Sequence, residues 1–232
     1  MHAKRELSDC GRSLAPELLQ NNYSRISTKF LSQVNNLYLS HSYTLSPFSG
    51  LHCASLFGII EVVAGLIEME CYNINNVDSA GNVPLTLAAR NGHEGVVRIL
   101  LGWEEVMPNK PDKYNLIPLS HAARRGHEGV VKILLGREEV NPDKQDVFDR
   151  TLLSHAARHG HEGVVKIPLG QGEVNLDKPD NDGRAPLSHA AQNGHEGVVK
   201  TLLVQEEVNP DKLDNGNRTS LCMPLGREMR EL

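Results

Sequence analysis

The apolar positions of this chain follow the spacing of short helix pairs. Leu119, Ala122 and Ala123 lie three and four residues apart, so they share one face of a predicted first helix. Gly126 ends that helix, and the apolar residues that follow predict a second helix over Glu128–Leu135. The pattern therefore predicts two antiparallel helices joined by a tight glycine turn.

This helix pair recurs with a fixed period. The segment Gly-His-Glu-Gly-Val-Val occurs four times, 34 residues apart, beginning at Gly92, Gly126, Gly160 and Gly194. Each unit opens on a turn whose fourth residue, such as Asn115, suits the left-handed conformation. A period of this length predicts an all-α solenoid of stacked helix-turn-helix units with short hairpin-like turns.

The repeated unit resembles the ankyrin repeat. The family pattern D-x-x-G-x-T-P-L-H-x-A-A-x-x-G-H-x-x-x-V-x-x-L-L matches Asp78–Leu101, Asp112–Leu135 and Asp180–Leu203 at most of its fixed positions, and Asp146–Leu169 less well. The resemblance implies repeats over residues 44–220, at about 44–77, 78–111, 112–145, 146–179 and 180–213, with a partial one from 214.

Two departures from the family pattern bear on stability. The threonine that caps the first helix in the family survives at Thr151, and is replaced by Val83, Ile117 and Ala185. A lost N-cap costs about 0.5–2 kcal/mol, so these helices should depend on stacking. Pro168 lies inside a second helix, where it removes a backbone hydrogen bond, so we expect the array to be weakest in that unit.

The segments outside the repeats predict unequal ends. Within residues 1–43, apolar residues from Leu19 to Leu37 step by three or four and predict an amphipathic helix that caps the first repeat. Residues 221–232 contain Pro224 and cannot continue a helix pair, so we expect an irregular tail and a poorly capped end.

Composition and charge limit the classes of function. The net charge of −5 favours neither nucleic-acid binding nor a polybasic membrane segment. The four cysteines have unrelated spacings, which predicts reduced thiols. The N-terminus lacks the apolar core of a secretory signal, and the most apolar stretch is too short to cross a bilayer. We expect a soluble cytoplasmic monomer, with entry into the nucleus left open.

Two histidine ladders raise the question of a metal site. The first consists of His93, His127, His161 and His195, each followed by glutamate. Valine replaces the second histidine of the H-E-x-x-H zinc motif, and in ankyrin repeats this histidine braces the loop between the helices. The second ladder consists of His121, His155 and His189. Because no carboxylate or thiol repeats beside them in the sequence, we predict neither a metal site nor a cofactor.

The sequence contains none of the catalytic motifs considered, so we look for function in the surface that the repeats present to a partner. There is no G-x-x-x-x-G-K loop and no G-x-S-x-G elbow, so we predict that the chain is not an enzyme. The family implies partner contacts at the turn tips and the last two residues of each first helix, on the concave face. Carried over, the predicted partner-binding residues are Asn82, Tyr114, Leu116, Phe148, Arg150 and Arg184 in the turns, and Arg90, Asn91, Arg124, Arg125, Arg158, His159, Gln192 and Asn193 at the helix ends.

The chemistry of these residues indicates an acidic partner. Arg90, Arg124 and Arg158 are in register and form what we call the arginine stripe. Tyr114 and Phe148 add aromatic anchors at adjacent tips, a residue type enriched at interfaces. We therefore expect an acidic protein surface or peptide as the partner. A solvated surface without a selected partner would show the same residues and stays open as an alternative.

The predicted function is that of a non-catalytic protein-interaction module. The near-identical copies, with the loop Gly136–Lys144, are similar to the C-terminal ankyrin arrays of fungal NOD-like receptors, in which an upstream nucleotide-binding NACHT domain does the switching. That resemblance implies a recognition arm. Two alternatives stay open: an accessory array that positions a catalytic or signalling domain absent from this chain, and a drifted structural paralogue.

Overall fold

The computed structural model describes residues 49–68, 73–170 and 174–220, in which ten α-helices and no β-strand are present. The helices are α1 (Gly50–Phe57), α2 (Ile60–Glu68), α3 (Pro84–Arg90), α4 (Glu94–Leu101), α5 (Pro118–Arg125), α6 (Glu128–Leu135), α7 (Leu152–Arg158), α8 (Glu162–Leu169), α9 (Pro186–Gln192) and α10 (Glu196–Leu203). The all-α repeat solenoid is thereby confirmed. The predicted N-terminal capping helix and the predicted tail over 221–232 lie outside the described residues.

The helices form two layers that share one continuous core. The odd-numbered helices pack on one another in chain order, and the even-numbered helices pack as a second row behind them. Alanines such as Ala122 and Ala123 are fully buried, which lets neighbouring first helices approach closely. Valines and leucines of the second helices fill the space between the rows. Each unit thus buries its apolar faces on its neighbours.

The first helices begin as the sequence predicts. The Thr151 hydroxyl oxygen accepts a hydrogen bond from the Ser154 N–H at 3.3 Å, whereas Val83, Ile117 and Ala185 make no side-chain cap. A proline at the first helical position follows each uncapped residue, where a missing N–H removes no hydrogen bond. The cap of α1, in which the Ser49 hydroxyl and the His52 ring bond reciprocally to the backbone, was not predicted.

The repeated Gly-His-Glu-Gly segment joins neighbouring units. The His127 Nε2–H donates to the carbonyl oxygen of Arg90 in the preceding repeat at 3.0 Å. A Cβ atom at Gly92 would lie 2.7 Å from the His127 ring, and the φ angle of Gly92 is +75°, so only glycine suits this position. A Cβ atom at Gly129 would lie 1.7 Å from a Glu94 carboxylate oxygen, so the second glycine makes room for the glutamate of the unit before it.

On each of α4, α6, α8 and α10 a glutamate precedes a lysine or arginine by four residues, which predicts four surface ion pairs, and three of them form. Lys166 and Glu162 are 2.5 Å apart, Lys200 and Glu196 3.5 Å, and Arg98 and Glu94 4.0 Å. The fourth predicted pair, Glu128 with Lys132, is not among the ion pairs of the described residues. Exposed pairs contribute about 0–1 kcal/mol each, so the stack does not depend on them.

None of the helices in the described part of the chain combines the length and the apolar character that crossing a bilayer requires.

Pro168 is accommodated without ending its helix. Helix α8 continues through it to Leu169, and the ring is buried where Leu100, Leu134 and Leu202 lie in the other units. The proline nitrogen still cannot donate to the carbonyl oxygen one turn earlier.

We predict that Pro168→Leu stabilises the array, by up to about 3 kcal/mol, because it restores that hydrogen bond and places a leucine where the other units bury one. Urea denaturation followed by circular dichroism measures the shift. The reciprocal change Leu134→Pro is the matched control and should lower the midpoint. An unchanged midpoint in Pro168→Leu would show that this unit does not limit stability.

Candidate protein-binding groove

The largest concentration of the predicted partner-binding residues lies in one groove between the third and fourth repeats. The groove encloses about 380 Å³ and is lined by Tyr114, Leu116, Arg124, Asp146, Phe148, Arg150, His155, Arg158 and His159. Seven of these nine residues were predicted from the sequence, and Asp146 and His155 were not. We call this concavity the groove.

The turns that form one wall of the groove are held in a row. The Asp112 carboxylate accepts hydrogen bonds from the N–H groups of Tyr114 and Leu116, 2.8 and 2.9 Å away. Asn115 adopts the left-handed conformation predicted for it, with φ of 61°. Each turn also bonds to the next one, as when the Val147 N–H donates to the Tyr114 carbonyl oxygen at 3.1 Å. The tips are therefore fixed at a regular spacing.

Two aromatic rings stand on adjacent tips. Tyr114 is 51% exposed and Phe148 is 47% exposed. The ammonium nitrogen of Lys113 lies 5.1 Å from the centre of the Tyr114 ring, and the guanidinium carbon of Arg150 lies 4.8 Å from the centre of the Phe148 ring. These distances are those of cation–π contacts, so a positively charged group lies over one face of each ring.

The arginines of the groove differ in what they bind. The Arg150 Nε lies 3.6 Å from a carboxylate oxygen of Asp180 in the next repeat, and its side chain is 17% exposed. Arg124 and Arg158, by contrast, are exposed at the ends of α5 and α7 and form no ion pair within the described residues. Their guanidinium groups are thus available to a ligand.

His159 lies among these cations in its neutral form. Its Nδ1 donates to the His155 carbonyl oxygen at 2.9 Å, and its ring stacks on His161 with the centroids 6.0 Å apart. Burial lowers the pKa of His159 below the ordinary 6.5, and the nearby charge of Arg124 lowers it further, although the hydrogen bond opposes the shift. At neutral pH the ring therefore adds hydrogen-bonding capacity and no charge.

The floor of the groove contains an aspartate–histidine pair that repeats along the array. The distance from the histidine Nε2 to the carboxylate oxygen is 2.9 Å for His121 and Asp112, 3.1 Å for His155 and Asp146, and 2.9 Å for His189 and Asp180. The prediction that no carboxylate repeats beside this ladder was wrong. The aspartate is nine residues earlier in the sequence, and only the folding of the turn over the first helix brings it to the histidine.

The pair clamps each turn onto its helix. Burial alone would raise the pKa of Asp146, but hydrogen bonds from His155 and from the N–H groups of Arg150 and Phe148 outweigh it and lower the pKa. Each imidazole faces the aspartate of its own repeat, so neighbouring rings do not converge. In the described ranges, no group of three or more histidine, cysteine, aspartate or glutamate side chains is placed to hold a metal ion.

Several predicted residues lie outside the groove or are used internally. Asn82 is 4% exposed and its amide donates to Asp78, so this side chain makes an internal contact. The Asn91 and Asn193 amides donate to carbonyl oxygens of their own helices. The Arg184 guanidinium lies 3.3 Å from Asp182. The other three are exposed or half-buried beyond the groove: Arg90, Arg125 and Gln192.

Comparison with known proteins agrees with this architecture. A family model described as ankyrin repeats matches residues 51–146 and 119–214, which together make up more than half of the chain. Among curated proteins, the chain is similar to the late expression factor 3 of Orgyia pseudotsugata multicapsid polyhedrosis virus, with 32% identity over 78 residues. That match covers 32% of this chain and 21% of the viral protein, so the chain spans about a fifth of that relative.

The clamp of the fifth repeat should make stability depend on pH. Burial lowers the pKa of His189 to about 4, against 6.5 without the fold, because the fold favours the neutral ring even though Asp180 opposes the shift. The unfolded chain therefore binds more protons between these values. Stability is fully present above the unfolded pKa and is lost as the pH falls towards the folded one, by on the order of 3 kcal/mol in total.

We predict that His189→Leu reduces the loss of stability between about pH 7.5 and about pH 5.5, a loss of roughly 1 kcal/mol through this residue. Leucine fits the space, because Leu87 fills the same place in the second repeat at 2% exposure, and Asp180 keeps its contacts with Arg150 and with the N–H groups of Asp182 and Arg184. Urea midpoints of both proteins at the two pH values give the answer. The same pH dependence in both proteins would contradict the assignment.

Proposed function

Because this chain belongs to the ankyrin repeat family, whose members are typically non-catalytic interaction modules, we propose that it binds an acidic protein partner through the groove and the arginine stripe. The observation that carries this proposal is the convergence of Arg124 and Arg158 beside two exposed aromatic rings, both arginines being exposed and unpaired with any carboxylate of the described residues.

The distribution of charge supports an acidic partner. The chain carries a net charge of −5, yet three arginines and one aspartate line the groove. The aspartate, Asp146, stays ionised because, despite its burial, hydrogen bonds from the turn and from His155 lower its pKa, but the three arginines outnumber it. A complementary acidic surface would be drawn to this face and would be repelled by most of the remaining surface.

The proposal includes the context in which the module works. The near-identical copies and their shared loop support a role as the recognition arm of a NOD-like receptor, with the nucleotide switch on another part of that receptor. Under this proposal the chain itself binds no ATP. Full-length sequencing of the encoding transcript tests the idea, because a reading frame that continues into a NACHT domain is expected, and its absence would remove the receptor assignment.

We place the module in the cytoplasm as a monomer. Cys53 is a free, buried thiol, and burial raises its pKa to about 11, so it stays protonated and unreactive. A buried thiol of this kind suits a reducing compartment.

We predict that the double variant Arg124→Glu/Arg158→Glu loses the native partner. The substitution replaces two attractive charges by repulsive ones at a face that meets acidic groups, so affinity should fall by at least tenfold. Quantitative co-purification from the native cell, followed by binding of the purified candidate, measures the effect.

Lys132→Glu is the matched control, because Lys132 is exposed on the second helix of the same repeat and is not part of the groove. It should retain the partner. Equal recovery by the wild type, the double variant and the control would contradict the proposal.

A further inference from the structure

We infer that the groove recognises a short acidic peptide segment. One large apolar side chain of this segment lies between Tyr114 and Phe148, and the carboxylates that flank it in the segment pair with Arg124 and Arg158. This inference rests on the proposed function and assigns the chemistry of the partner at that face.

The aromatic pair singles out this position along the array. The residues equivalent to Tyr114 and Phe148 in the other units are Ala80, Asp182 and Gly216, none of them aromatic. Among the turns from residue 78 onwards, neighbouring tips both carry a ring only between the third and fourth repeats. The volume of about 380 Å³ lies at the same place. Of the five turns that the structure describes, this is the adjacent pair in which both tips carry an aromatic ring beside the groove.

The dimensions suit a single side chain with its flanking backbone. Ligand pockets range over about 300–1,000 Å³, and the groove is at the lower end of that range. The buried side chain of Leu116 provides an apolar floor at 4% exposure, and the two half-exposed rings stand beside it. Covering these rings removes apolar area from water, and aromatic residues in such positions often dominate binding energy.

The charges specify what flanks the anchor. Arg124, Arg150 and Arg158 all line the groove, so three positive side chains are crowded here. Arg150 already contacts the Phe148 ring and Asp180, whereas Arg124 and Arg158 form no ion pair with an acidic residue of the described ranges. Guanidinium groups bind carboxylates through paired hydrogen bonds, so carboxylates next to the anchor would relieve the crowding.

A peptide fits these observations better than a nucleic acid does. Binding of nucleic acid depends on many phosphate contacts along an extended basic surface. Here the groove offers two arginines that form no ion pair in the described part of the chain, on a protein whose net charge is −5. The exposed loops also carry glutamate pairs at Glu104-Glu105, Glu138-Glu139 and Glu206-Glu207, which would repel a long polyanion.

Selection of peptides on the purified full chain tests the inference. A random peptide library displayed on phage is selected on the wild-type chain and counter-selected on Phe148→Ala. We expect enrichment of sequences with an aromatic or large aliphatic residue next to aspartate or glutamate. Enrichment of unrelated sequences, or no enrichment, would overturn the inference.

Fluorescence anisotropy with an enriched peptide then assigns the contacts. Tyr114→Ala and Phe148→Ala should each weaken binding by about tenfold. Arg124→Glu should weaken it at least tenfold, and a peptide with lysine in place of its acidic residue should restore binding to that variant. This charge swap distinguishes a broken contact from a misfolded chain. Trp103→Ala is the matched control, because Trp103 is 38% exposed and lies outside the groove, and it should bind as the wild type does.

Other outcomes separate this inference from the proposed function. Tighter binding of a matched phosphoserine peptide, or of a single-stranded oligonucleotide, would overturn the assignment to carboxylates. If both aromatic variants keep the native partner while the double arginine variant loses it, the anchor is wrong and the proposed function stands. If neither set of variants affects the partner, both fail.

Discussion

The contact between successive Gly-His-Glu-Gly segments is the constraint on which the rest of the structure depends. A pair of eight-residue helices cannot form a stable unit alone, because nucleation is costly and each helix leaves an apolar side exposed. The His161 ring meets the loop of the unit before it, with Nε2 3.1 Å from the carbonyl oxygen of Arg124. Glycine at Gly126 is required by its φ of +77° and by the approach of that ring. The recurring motif is therefore an interface between units, and its repetition fixes the rotation from one unit to the next.

That interface determines where function can lie. The histidine, glycine and alanine positions are occupied by contacts between units, and the aspartate–histidine clamp ties each turn to its own helix. Only the turn tips and the ends of the first helices are free to differ between units without affecting the stack. These are the positions at which the copies do differ: Ala80, Tyr114, Phe148, Asp182 and Gly216 are equivalent. A constant framework with variable tips suits a surface that recognises a partner.

The sequence predicts the fold well because its signals are local and repeated. The bounds of α6, the left-handed Asn115 and the uncapped helix starts all follow from residues within one turn of each other. The aspartate–histidine clamp could not be predicted in the same way, because it joins residues nine apart across a change of direction. The orientation of Asn82 could not be predicted for a related reason. Its position in the turn pattern is that of a tip residue, but the amide turns inward to Asp78 because the second repeat has Leu87 in place of the clamping histidine.

Where a repeat lacks the clamping histidine, another side chain donates to the aspartate of the turn. In the second repeat the Asn82 amide replaces the imidazole as donor to the aspartate, and at the end of the described array the Arg218 guanidinium does so for Asp214 at 2.8–3.0 Å. A buried or half-buried carboxylate needs such a donor, since an unpaired one would be costly. In the fourth repeat His155 serves as the donor to Asp146, so Arg150, which occupies the position of Asn82, is released to reach Phe148 and Asp180. The clamp therefore does more than hold a turn, because in the fourth repeat it leaves Arg150 to line the groove beside Phe148.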